Sequence, residues 1–188
     1  MLDRIIDETT NAVAAAINGV NNILEALTDT VKNQVVNVLS GTGEVATSGV
    51  EAVASVASGA IKGAGQVGTS LTDTIFSTMS GVVKGASQVG GDVVAAIGGA
   101  AQGIVSATAE TGGDVGAAAV SAVESAIKSA GEIGADTSEA AKAAVGGALD
   151  AATTVGGSAA ETVRDALLSA AALPRETIEA AIKDRDKN

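Results

Sequence analysis

From Asn37 onward the apolar positions of this chain return every 22 residues, in units starting at 37, 59, 81, 103, 125 and 147. Within a unit, positions 2/3, 6, 9, 13, 17 and 20/21 are filled by Val, Ile, Leu or Ala. In the unit from Gly81 these are Val82, Val83, Ala86, Val89, Val93, Ile97, Ala100 and Ala101. Charged and small polar residues collect between them: Lys62, Lys84, Lys128 and Asp150 at position 4, and Glu51, Asp73, Glu139 and Glu161 at position 15. Steps of three and four with a period of 22 make six helical turns of about 3.67 residues, the 11-residue pattern of a nearly straight amphipathic helix. The strict alternation that a strand requires is absent. The pattern predicts an all-α fold, with Val67, Val89, Ile133 and Val155 at position 9 buried and the position-15 acids exposed.

Glycine divides this stripe at regular places. Position 10 is Gly68, Gly90, Gly112, Gly134 and Gly156, followed two residues later by Ser70, Asp92, Asp114, Asp136 and Ser158. Gly-x-Ser/Asp is the sequence of one helix ending and the next beginning, with Gly in the left-handed C′ position and Ser or Asp as N-cap. Ser48 and Ser158, each with Glu three residues on, match the capping box. Elongated helices of about 18 residues, ~27 Å each, then pack in a bundle or array. The alternative is long continuous helices in an oligomeric right-handed coiled coil, because the apolar stripe stays in phase across the glycines.

Both ends depart from the unit. Residues 1–40 contain no Gly-x-Ser break and hold the bulkier Ile5, Ile6, Ile17, Ile23, Leu24 and Leu27. They predict the longest and best-packed helix, an oligomerising or nucleating element. Residues 41–168 form the Gly/Ala-rich array. Beyond Pro174, residues 169–188 predict a short charged helix that caps it.

Composition narrows the function. The chain has 24 Gly, one Phe, one Pro, and no Trp, Tyr, Cys or His, with 46% hydrophobic residues. The apolar side chains are small, and burial stabilises in proportion to area, so stability must come from many close contacts. A net charge of −11 without a basic patch or aromatic platform argues against nucleic-acid binding. Without Cys or His, no nucleophile–base pair, thiolate or imidazole metal site can be assembled, and no catalytic, metal or cofactor site is expected. GAGQVG (63–68) has the letters of a dinucleotide loop but lies inside a helical unit with no strand before it. MLDRIIDETT carries acids where a secretory signal needs bases, so the expectation is a protein of the cytoplasm or the periphery of a lipid or granule surface.

The small residues carry a different kind of chemistry. Gly59/Gly63, Gly81/Gly85, Gly103/Ala107, Ser125/Ser129 and Gly147/Ala151 are pairs four apart on one helical face. Each makes a shallow groove that lets another helix approach closely. Glycine inside a helix costs ~1 kcal/mol relative to Ala, so its return at equivalent places points to use of that proximity.

The hendecads of 81–105, GVVKGASQVGGDVVAAIGGAAQGIV, resemble the 11-residue amphipathic repeats of perilipins and synucleins, and the punctuated 22-residue unit resembles that of exchangeable apolipoproteins. The resemblance is one of pattern. It implies a coat on lipid droplets, storage granules or membrane surfaces, although the polar stripe here is acidic where such helices usually carry Lys or Arg. The leading expectation is a non-catalytic, self-assembling structural protein, a homo-oligomer or larger assembly. A lipid or hydrophobic surface is the alternative partner.

Overall fold

The computed structural model describes the backbone of residues 2–42, 47–65 and 69–185, and the side chains of residues 19, 21–40, 49–65 and 69–185. Among them the chain is all-α, with no strand: α1 (Leu2–Thr42), α2 (Thr47–Gly65), α3 (Leu71–Gln88), α4 (Val93–Glu110), α5 (Val115–Glu132), α6 (Thr137–Val155), α7 (Ala159–Ser169) and α8 (Arg175–Arg185). The helices stop at Gly90, Gly112, Gly134 and Gly156 instead of running through them. From α2 to α6 they are 18 or 19 residues long.

Alternate helices are neighbours. α1 packs on α3, α3 on α5 and α5 on α7; α2 packs on α4, α4 on α6 and α6 on α8. Each helix also touches the next in sequence, so the odd and even helices form two rows that share one core. Thr28 and Lys32 of α1 lie against Gly81 and Gly85 of α3, in ascending order on both, so these helices run parallel. Val50 and Ala54 of α2 meet Gly99 and Gly103 of α4 in the same sense.

The core is built mostly of alanine and valine methyl groups, with Ile75, Met79, Ile97 and Ile104 as the largest fully buried side chains of α3 and α4. α4 is the middle of the structure, in contact with α2, α3, α5 and α6. Val93–Glu110 is long and apolar enough to cross a membrane by length and composition, and 56% of it is buried within the fold. The core also holds hydroxyls. Thr108 satisfies its own by donating to the Ile104 carbonyl at 2.8 Å, whereas the hydroxyls of Thr78 and Ser129 are buried without a partner. Thr78→Val keeps the shape and removes the orphaned group, whose burial costs about 1–3 kcal/mol. We expect thermal denaturation to show Tm raised by roughly 2–4 °C per kcal/mol gained.

Three expectations need correction. α1 is the longest helix, about 61 Å at 1.5 Å per residue, but its described side chains are not the best packed. Of its described side chains only Val31, Val35 and Leu39 are buried, whereas α3 and α4 bury ten or more residues each. At position 9, Val89 and Ile133 are only half-buried and Val155 is 46% exposed. Each stands at a helix C-terminus, where the packing of the row runs out; Val67 lies outside the described residues. Glu51, Asp73, Glu139 and Glu161 are exposed. Third, α8 does more than cover the array with charge. Pro174 offers its carbonyl to Thr177 and Ile178 N–H to start the helix, Ile178, Ala181 and Ile182 are buried, and Arg185 pairs with Asp150 of α6.

Candidate functional site

The turns between helices place everything else. After α3, the Gly91 N–H donates to the Ala86 carbonyl (2.9 Å) and the Gly90 N–H to Ser87 (3.1 Å). Gly90 takes φ +65°. This is the Schellman closure. It recurs after α4, where Gly113 bonds Thr108 and Gly112 bonds Ala109, and after α5, where Ala135 bonds Ala130 and Gly134 bonds Gly131. The next residue starts a new helix. Asp92 accepts from the Ala95 N–H, Asp114 from Ala117, and Asp136 from both Ser138 and Glu139, at 2.8–3.1 Å. A chain reversal therefore takes only four residues, such as Val89–Asp92.

The serine caps differ. Ser70 and Ser158 precede α3 and α7 but make no side-chain cap bond, and Ser158 has a non-extended backbone (φ −88°, ψ 5°). The capping box read at Ser158 is thus not formed. At Ser48 the side chain is outside the described residues, and the residue already lies inside α2. Gly68 too is outside them. The break at Gly156 is made differently, by two consecutive left-handed glycines, Gly156 and Gly157.

The small-residue grooves fall into two groups. At Gly81 a Cβ would stand 2.6 Å from the Thr28 carbonyl oxygen and 2.9 Å from Val31 Cβ; at Gly85 it would stand 2.8 Å from the Lys32 carbonyl oxygen. At Gly103 it would collide with the Ala54 carbonyl, and at Gly147 with the Gly98 carbonyl. These four glycines let the backbones of alternate helices touch. The helix that approaches the Gly81/Gly85 groove is α1 of the same chain. Ala107 and Ala151, the second members of their pairs, are buried, as are Ser125 and Ser129 of α5. Gly59 and Gly63 behave oppositely. A Cβ at either would meet nothing within 4 Å. They line an apolar groove of about 500 Å³ between α1 and α2, with Ile23 and Leu27 on its α1 side.

Sequence reasoning missed Gly98 and Gly99. Gly99 stands four residues before Gly103 and completes the contact with α2, where a Cβ would lie 2.6 Å from the Val50 carbonyl oxygen. That spacing was readable, but the register set by the repeat paired Gly103 with Ala107 instead. Gly98 faces the next row member, its carbonyl against Gly147. Adjacent glycines thus serve two different neighbours.

Charged groups lie outside these contacts. Lys62 of α2 pairs with Glu110 of α4 at 2.6 Å, and Lys128 of α5 stands 4.3 Å over the Phe76 ring of α3. Glu139 accepts a hydrogen bond from Lys142, which with their Coulomb attraction holds the lysine above its ordinary pKa. Among the described residues no three acidic side chains gather as a metal cluster would. What the arrangement does chemically is hold backbone against backbone. In comparison with known proteins, no family model and no curated protein matches the chain.

Proposed function

We propose that this is a non-catalytic structural protein, built of 22-residue helical units in a Gly-punctuated array and acting by self-assembly as a scaffold, spacer or filament component. The observation that supports a structural role is the repeated seating, within the chain, of a backbone carbonyl of one helix on a glycine of the helix two places on, at Thr28–Gly81, Lys32–Gly85, Ala54–Gly103 and Gly98–Gly147. Self-assembly is supported by the equivalent positions Gly59 and Gly63 being left open. The seated contacts serve packing: each sets a backbone carbonyl on a glycine, and the Thr28 and Lys32 contacts are made by their carbonyls. A lipid coat would need the apolar stripe of each unit turned outward. In α3 to α6 that stripe faces the shared core, which favours the structural reading over the coat.

Circular dichroism and sedimentation in plain buffer, with and without phosphatidylcholine vesicles, test it. Helix present without lipid, with a particle mass above the 17.9 kDa of one chain, is the expected result. Helix that forms only on vesicles would overturn it in favour of the coat.

A further inference from the structure

The two ends of the helix rows are not alike. At the C-terminal end the outward positions of α8 are Arg175, Glu176, Glu179, Ala180, Lys183 and Asp184, all exposed, with Arg175 and Glu179 paired at 2.7 Å. That end is finished with charge. At the N-terminal end, none of the described helices lies two places before α2. Its groove at Gly59 and Gly63 occupies the same unit positions as Gly81/Gly85 of α3, which α1 fills, and as the first glycine of the pairs in α4 and α6, which α2 and α4 fill. Here it is open. Beside it Ile23 is 39% exposed and Leu27 half-buried.

We propose that this open face is the site where two copies of the chain meet head to head, about a two-fold axis, so that assembly closes at a dimer. The proposal rests on the self-assembly reading and names the surface that carries it. Three observations select a second copy as the occupant. In α3, α4 and α6 the same groove positions receive a helix of this very chain, so the packing continues an existing kind of interface. The face carries its own ridge and its own groove, Ile23 and Leu27 of α1 next to Gly59 and Gly63 of α2, which is the self-complementarity that a two-fold contact demands. And no side chain lining the groove is charged, so two chains of net charge −11 meet without setting like charges against each other there. The charged α8 end offers no matching surface, which stops the pairing at two.

Sedimentation equilibrium on the full chain tests this with three variants. Gly59→Glu with Gly63→Glu puts carboxylates into the groove at sites where a side chain has free space. Ile23→Glu charges the ridge, and Ala180→Glu charges the opposite end. The wild type is expected at twice 17.9 kDa, and so is Ala180→Glu. The double glycine variant and Ile23→Glu should run at 17.9 kDa with unchanged helical circular dichroism. The expected loss is about 100-fold in affinity, the scale for unpaired carboxylates in a desolvated contact. If the glycine variant loses helix, Ile23→Glu decides alone. An assembly that survives both groove and ridge variants overturns this interface and leaves self-assembly standing. A wild type at 17.9 kDa overturns both. A polymer abolished by Ala180→Glu would show head-to-tail growth and overturn the closed dimer. Binding of cis-parinaric acid that only the glycine variant loses would assign the groove to an acyl chain instead.

Discussion

Gly103→Ala is expected to destabilise the fold by about 2–3 kcal/mol, while Gly59→Ala stabilises it by about 0.5–1 kcal/mol. Both glycines hold position 1 of their unit and both sit inside a helix. On intrinsic propensity alone each replacement gains up to ~1 kcal/mol. The neighbours reverse one of them. At Gly103 the new methyl would run into the carbonyl of Ala54, and α4 and α2 would have to part. That is an atom of rigid backbone, with no rotamer to give way, so the strain outweighs the propensity gain. At Gly59 nothing lies within 4 Å. Urea denaturation of the two variants, at protein concentrations too low for association, checks the sign as well as the size. Equal effects at the two sites would mean that α2 and α4 are not in contact there.

Ile104→Ala is expected to cost about 3–4 kcal/mol, in the range for emptying a fully buried branched side chain. Val155→Ala should stay within about 0.5 kcal/mol. Ile104 is fully buried in α4, among side chains that are mostly no larger than valine. Alanine methyl groups cannot extend into the space left behind, so the cavity stays open. Val155 ends α6 and is 46% exposed. The same denaturation measurement separates them, and a loss at Val155 comparable to that at Ile104 would contradict the burial described.

Much of the architecture was legible because it depends on local rules. A helical period with Gly-x-Asp between segments specifies a left-handed stop and a carboxylate start. Both are satisfied within a few residues, as at Gly90 and Asp92 or Gly134 and Asp136. Ser70 and Ser158 carried the same signal, yet their hydroxyls make no cap bond. A shorter side chain tolerates less error in backbone geometry, and at Ser158 the backbone is not extended. The position-9 residues were misread for another reason. Phase tells which side of a helix is apolar but not where along its length the neighbours stop, so Val155 passed as a core residue. Grooves are harder still. Gly59, Gly81 and Gly103 are equivalent in sequence, and their difference lies wholly in whether another helix precedes them by two places. That is a property of position in the array and leaves no mark on the residues themselves.

The seating of every helix on the one two places away also governs how such a chain could grow or shrink. Removing one 22-residue unit would send each later helix to the opposite row, setting surfaces shaped for one set of partners against the other. Removing two units together would keep each remaining helix in its row. The viable step in length is therefore a helix pair of 44 residues, the distance between LTDTV at 27–31 and LTDTI at 71–75.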